Sequence, residues 1–444
     1  MARLTVVGGG LAGSEAAWQA ARAGVDVTLH EMRPERGTEA HKTDLLGELV
    51  CSNSLKSDDP DSAPGELKAE LRALDSLILS AADGARVPAG TALAVDRVRF
   101  ARAISDAVQA HPRITVVRGE VADLPEGPAV LATGPLTAPR LSAALKDVSG
   151  EDALYFYDAI SPIVTAESID RAVAFRASRY GRGEAEEGDY LNCPLDHEGY
   201  YTFVQQLLAA ETVPPAPFEE KAVYFEGCMP IEEMASRGVE TLAHGPMKPV
   251  GLTDPRTGRR PYAVVQLRQE DLERSYYNLV GFQTKLTYPE QKRVFRMIPG
   301  LEGAEFLRYG AVHRNTYLNA PRCLTPTLEL KAREGIWLAG QITGVEGYLE
   351  STAMGLMAGR FAAARLRMTP FAPPPETTAI GSLLRYLRTA DPDHFQPMNI
   401  NFGLFPPLGG PDARPPRRRA DRRHAAIARA RADFADWRAS CATP

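Results

Sequence analysis

The chain opens on Arg3-Leu-Thr-Val-Val-Gly8-Gly9-Gly10-Leu11-Ala12-Gly13-Ser14-Glu15, and this stretch decides the fold. The run from Leu4 to Val7 is short and apolar, as in a parallel strand buried on both faces. Gly8, Gly10 and Gly13 then match G-x-G-x-x-G. The first glycine makes the tight turn, the second lets backbone approach a pyrophosphate, and the third lets helix pack on strand. The spacing predicts a helix over residues 14–23, with Gly9, Leu11 and Ala12 in the turn before it. Its amides and positive dipole end aim at a diphosphate. Gly24 closes that helix, and residues 25–30 form the second strand. Glu31 follows, 18 positions after Gly13, where a carboxylate takes the ribose hydroxyls. Strand, turn, helix, strand and terminal acid, all in order, define a dinucleotide-binding unit.

Further along, residues 34–62 form a long polar connection carrying Glu48-Leu-Val-Cys51-Ser-Asn-Ser54. A connection of that length inside a compact domain is usually functional. The spacing of Leu67, Leu71, Leu74 and Leu77 predicts one helix over 66–79. Strand and turn follow over 87–95, and Asp96 caps a helix over 97–110. Residues 114–117 and 129–131 read as further strands, the latter running into Ala-Thr133-Gly134. From about residue 154 the βαβ pattern stops, and tyrosines and mixed charges indicate an inserted α+β domain. The nucleotide pattern resumes at Gly335-Ile-Trp-Leu-Ala-Gly340-Gln341 and a glycine-entered helix over 344–359.

A dinucleotide site built by both ends of the chain suggests FAD. The first turn would hold its pyrophosphate, and Gly340, Gln341 and the late helix would face its ring and ribityl chain. Among glycine patterns only Gly181-Arg-Gly183 remains, without a third glycine or a preceding strand, so no NAD(P)H domain is expected and a nicotinamide would dock transiently. The expected class is α/β: a Rossmann-like FAD-binding domain of glutathione-reductase type, interrupted by an α+β domain. Expected boundaries are 1–150 and 306–365 for the FAD-binding halves, 151–305 for the insert, and 366–444 for a C-terminal extension with a basic tail.

A chain of 444 residues exceeds one ordinary core. Apolar and charged contents of 44% and 24% suit a soluble globular protein, and no apolar run is long enough to span a bilayer. The N-terminus runs directly into a strand, without a signal-peptide pattern. Five cysteines, Cys51, Cys193, Cys228, Cys323 and Cys441, include no C-x-x-C pair. A disulfide scaffold and a metal site are therefore not expected, and a cytoplasmic location is. The net charge of −5 gives no global sign of nucleic-acid binding, so any such surface must be local. The run Arg414-Pro-Pro-Arg-Arg-Arg-Ala-Asp421 and its continuation to Arg431 reads either as a phosphate clamp or as a solvated helix face. Arginines over 256–268 and 293–308 are equal candidates for RNA contact.

Four stretches together resemble one family: Gly8-Gly-Gly-Leu-Ala-Gly13-Ser-Glu15, Leu49-Val-Cys51-Ser-Asn-Ser54, Phe225-Glu-Gly-Cys228-Met-Pro230-Ile-Glu232 and Leu338-Ala-Gly340-Gln341-Ile-Thr-Gly-Val-Glu-Gly347-Tyr. They look like the TrmFO family, the small form of the GidA type, and Met398-Asn-Ile-Asn-Phe-Gly-Leu-Phe extends the match to about Pro407. The resemblance implies an FAD- and folate-dependent tRNA (uracil-5-)-methyltransferase. It would move a one-carbon unit from 5,10-methylenetetrahydrofolate to C5 of uridine 54 in the T-arm, with NAD(P)H as ultimate reductant. It implies no obligatory protein partner.

Uracil C5 attacks an electrophile only after a thiolate adds at C6, which is work suited to cysteine in an electropositive, partly open site. By resemblance Cys228 is the nucleophile and Cys51 its partner near the flavin, although sequence alone does not order the two. Cys193, Cys323 and Cys441 are expected to be small buried hydrophobes. Tyr200, Tyr201 and Tyr348 are candidates to stack on pterin or base, with core packing the first reading of each. The rival reading is the large GidA form, which modifies wobble uridine with a partner GTPase. It carries an extra C-terminal helical domain, for which a chain ending at Pro444 leaves no room.

Overall fold

The structure, a computed structural model, describes residues 3–38, 40–151, 154–181, 183, 187–214, 229–409, 416 and 418–441. Two sheets carry the architecture. The first is five-stranded and parallel, in the order Ile336–Leu338, Ala129–Leu131, Arg3–Val7, Asp26–Glu31, Ile114–Arg118. The glycine-rich turn thus leaves the central strand, and Gly340 follows the edge strand Ile336–Leu338. The second sheet is six-stranded and antiparallel, in the order Phe175–Ala177, Tyr190–Leu195, Ala263–Gln269, Tyr276–Leu279, Ile163–Thr165, Phe306–Arg308. The α/β class with a parallel nucleotide-type sheet is borne out.

The chain leaves the first sheet for the second, and returns, through one antiparallel ladder, Leu154–Ala159 with Val312–Tyr317. Each sheet has its own apolar cluster. In the first, helix Leu11–Arg22 crosses the long helix Tyr348–Arg367 at the distance small residues allow. A Cβ on Gly355 would stand 2.2 Å from the Ala12 carbonyl oxygen, so any side chain there would force the helices apart.

Several boundaries differ from the sequence reading. The first helix begins at Leu11, because Gly10 serves directly as its N-cap. The single helix expected over 66–79 is two, Ala63–Ala73 and Leu77–Gly84. Asp75 between them is left-handed (φ 57°), and the Ser76 hydroxyl accepts the Leu79 N–H as the second cap. Local capping chemistry overrode an apolar period that continued across the break. The cap at Asp96 stands as expected, accepting from Val98 and Arg99 N–H at the start of Arg97–Ala110.

The arginine-rich tail forms helix Arg419–Cys441, and Ala430, Phe434 and Trp437 bury one side of it in the first core. Arg431 pairs with Glu66 at 2.8 Å and Arg429 donates to the Pro407 carbonyl, so part of its charge does structural duty. Cys441 at its end is exposed, contrary to the buried role expected for it. Burial explains Cys193 and Cys323 as anticipated, pushing their thiols up to about 12 and about 11. No helix among the described residues is long and apolar enough to cross a membrane.

Candidate active site

A cavity of about 160 Å³ runs along the carboxyl edge of the parallel sheet, from Glu31 past Gly8, Gly9, Gly10, Leu11 and Ala12 to Gly340 and Gln341. The turn behaves as its glycines require. A Cβ on Gly13 would fall 1.8 Å from the Gly8 carbonyl oxygen, whereas one on Gly10 would meet nothing within 4 Å. Gly10 therefore faces open space. No side chain caps the helix it begins, and the unused first-turn amides suit a diphosphate.

Glu31 is 5% exposed. One carboxylate oxygen accepts the Gly9 N–H at 2.8 Å, and the other accepts Arg33 N–H and Nε at 3.0 and 2.8 Å. Burial alone would raise this carboxyl, but Arg33 and the backbone donors hold it below the usual carboxylate range. Arg33 also binds Glu48 at 3.0 Å, and Glu48 accepts from Lys42 and Thr43 N–H. The polar connection is thus fastened to the Glu31 end of the groove. His41, in the same wall, is lowered to about 4, chiefly by burial and then by Arg33. These residues fit FAD: free helix-start donors for the diphosphate, an ionised carboxylate for ribose, and Gln341 further along.

A second cavity, of about 330 Å³, adjoins the first, and Val50, Pro135, Leu136, Gln341, Tyr348 and Ser351 line both. Its walls draw on separate stretches of the chain: Cys51 and Ser52, Glu346 to Leu349, Asn399, and Arg268 and Asn278 from the second sheet. Cys51 is half-buried. Its N–H donates to the Tyr348 hydroxyl at 2.8 Å and its carbonyl accepts from Arg97 Nη2 at 2.8 Å. Arg308 donates to the Val50 carbonyl at 2.8 Å, and both guanidiniums couple electrostatically to Cys51. Burial opposes the charge on Arg97, but Glu270 raises it above the ordinary range. Arg308, buried beside Arg97, is lowered. This is the electropositive, partly open setting a thiolate needs.

Cys228 lies outside the described residues. The chain is described again from Met229, and Ile231 N–H donates to the carbonyl of Gln283, a residue of the same cavity wall. Tyr348 packs against the first core and also lines both cavities. Tyr200 is buried in the second core as expected, and its hydroxyl donates to the Val239 carbonyl. Arg33, His41, Arg97 and Asn278 were not singled out as site residues, and Arg268 and Arg308 were named only as the ends of runs proposed for RNA contact. The one available signal was strand Ala263–Gln269, where Gln266 and Arg268 share a face of an otherwise apolar run. Arg256, Arg293 and Arg296, within the runs proposed for RNA contact, engage Asp254, Glu290 and the Ala304 carbonyl.

Fold and site together define a flavoprotein-type α/β protein whose second sheet lines a cavity beside its nucleotide groove. Residues 3–370 match the family model described as glucose inhibited division protein A. The methylenetetrahydrofolate–tRNA-(uracil-5-)-methyltransferase TrmFO of Geobacter sulfurreducens is 56% identical over 98% of this chain and 99% of its own. The TrmFO of Anaeromyxobacter dehalogenans is 57% identical over 98% and 96%. Aquifex aeolicus GidA superposes with a TM-score of 0.70 at 17% identity, over 98% of this chain and 73% of its own, and so shares the fold. The chain belongs to the GidA family, in its TrmFO branch.

Proposed function

We propose that the protein is a folate- and FAD-dependent tRNA (uracil-5-)-methyltransferase acting on uridine 54 of the T-arm. One observation carries the reading: the nucleotide groove and the Cys51 cavity join at Tyr348, whose hydroxyl takes the Cys51 N–H at 2.8 Å. A plain dehydrogenase has no use for a cysteine in an arginine-lined chamber beside its flavin.

The amides of Gly10, Leu11 and Ala12 would hold the diphosphate of FAD, Glu31 its ribose, and Gly340 and Gln341 its ribityl and ring end. Bound there in reduced form, it would supply the two electrons that convert a transferred methylene to methyl. Cys228 adds to uracil C6 and makes C5 nucleophilic. Cys51, with Arg97 and Arg308 at its back, is the second sulfur of the pair and serves proton transfer at C5. NAD(P)H, docking transiently, would supply the reducing equivalents, and the expected location is the cytoplasm.

The test uses purified protein, methylenetetrahydrofolate, NADPH and unmodified tRNA. The expected product is 5-methyluridine, and NADPH oxidation without it would establish a plain oxidoreductase. Cys228→Ala is expected to keep its flavin spectrum and yield no methylated tRNA. Wild-type turnover by that variant would remove Cys228 from the mechanism.

A further inference from the structure

The second cavity contains a cation that no anion neutralises. Arg268 is 7% exposed, and among the described residues it makes one hydrogen bond, from Nε to Asn53 Oδ1 at 2.8 Å. No described carboxylate lies within ion-pair distance of it. Directly opposite on the neighbouring strand, in register, stands Asn278, which is 2% exposed. Its Nδ2 is buried and has no hydrogen-bond partner among the described residues. Cross-strand partners share a face, so both side chains lie on one wall of the chamber that also holds Cys51.

Both features are costly in a folded protein. A buried guanidinium without a counter-ion loses hydration that nothing repays, and an unmade amide hydrogen bond costs about 1–3 kcal/mol. Asn53 makes the arrangement deliberate. It is fully buried, and its Nδ2 is anchored on the Val95 and Gln269 carbonyls at 3.0 Å each. Its oxygen is therefore left to fix Arg268 by Nε, and Arg268 lines the chamber. The wall is a set of held donors with positive charge, awaiting an acceptor that is or becomes an anion.

We infer that Arg268 and Asn278 bind the C4 carbonyl edge of the target uracil and stabilise the enolate formed when sulfur adds to C6. This rests on the methyltransferase reading above. In that step the thiolate lone pair forms the S–C6 bond. The C5=C6 π pair moves to C5 and is shared with O4. The negative charge of the thiolate passes to the C5–C4–O4 system, and no proton or electron enters or leaves. Preorganised donors at O4 are most useful where charge develops. A cation facing position 4 also selects uracil over cytosine, whose amino group there would meet donors with donors.

The experiment follows formation of the C6 adduct. A T-arm RNA with 5-fluorouridine at the target, supplied with methylenetetrahydrofolate, is held covalently once the one-carbon unit has bonded to C5, because fluorine cannot then leave C5 as a proton does. The adduct is followed on denaturing gels with the flavin-loaded full chain. Arg268→Gln is expected to slow adduct formation by about 100-fold, the usual loss for one preorganised oxyanion donor. Asn278→Ala should slow it by about 10-fold, and Arg268→Lys should fall between Gln and wild type. RNA affinity should stay within about threefold, since phosphate contacts dominate it. Flavin content and thermal midpoint are measured alongside, and Arg268→Lys, which keeps the charge, serves if Gln fails to fold. Adduct formation in Arg268→Gln at the wild-type rate overturns the inference. So does a normal adduct rate with a raised folate KM, which would assign the pair to folate. If the wild-type chain forms no adduct, it is the methyltransferase reading that fails.

Discussion

At the scale of single residues, the site depends on which groups are charged. Glu31 stays ionised despite burial because Arg33 and two backbone amides bind it. His41, in the same wall, is neutral, with Nδ1 2.6 Å from the Thr38 hydroxyl. Its pKa falls from 6.5 in the unfolded chain to about 4 in the fold. Between those values the unfolded chain binds the extra proton, so stability rises with pH there. The contribution is complete above 6.5 and is lost as pH falls through 4, to a limit of about 3 kcal/mol. His41→Gln should therefore flatten the acid limb of a stability-against-pH curve measured by urea unfolding. An unchanged limb would mean the imidazole is protonated in the fold. Residue roles were unevenly legible in the sequence. Gly8, Gly10, Gly13 and Glu31 stand at fixed offsets dictated by a ligand's shape, so spacing alone locates them. Arg97 and Arg308 reach the Cys51 loop only through the tertiary fold, across sequence separations that carry no pattern.

At the scale of elements, the missed helix break and the C-terminal helices teach the same lesson about caps. Asp75 and Ser76 held a stop and a start that the leucine period obscured. Helix Ala379–Thr389 begins on a carboxylate from far away: Glu70 accepts Ala379 and Ile380 N–H at 2.6 and 2.8 Å. Nothing local to residue 379 announces this, since the partner lies 309 residues earlier. Glu70 is fully enclosed, and burial outweighs the two amide bonds, raising its pKa from 4.5 to about 8. Between those values the fold holds the proton that the unfolded chain has lost, so stability falls as pH rises. The contribution is whole below 4.5 and gone above 8, a change on the order of 5 kcal/mol. Glu70→Gln should be nearly neutral at about pH 4 and more stable than wild type at about pH 9, by thermal melting. Equal losses at both would show that Glu70 is ionised throughout and acts as an anionic cap.

At the scale of the whole molecule, the alternation of sheets decides how a reaction chamber forms. The parallel sheet and its turn were readable from the first residues, because nucleotide binding imposes local chemistry. How the antiparallel sheet meets it was not, because that depends on Leu154–Ala159 and Val312–Tyr317 pairing across the whole insert. One residue of the quoted Cys51 motif ties the layers together. Asn53 joins Val95, beside the capped helix, to Gln269 and Arg268 in the second sheet. Asn53→Ala would orphan two buried carbonyls and one guanidinium nitrogen, at about 1–3 kcal/mol each. The flavin groove touches none of these groups, since Glu31 and Gly10 hang from the parallel sheet. The variant should thus keep its flavin-to-protein ratio, melt several degrees lower, and lose methyl transfer because Arg268 and the Cys51 loop no longer hold register. Loss of flavin in step with activity would show that the two sheets assemble the groove jointly, and that Asn53 supports the whole fold rather than the chamber between its layers.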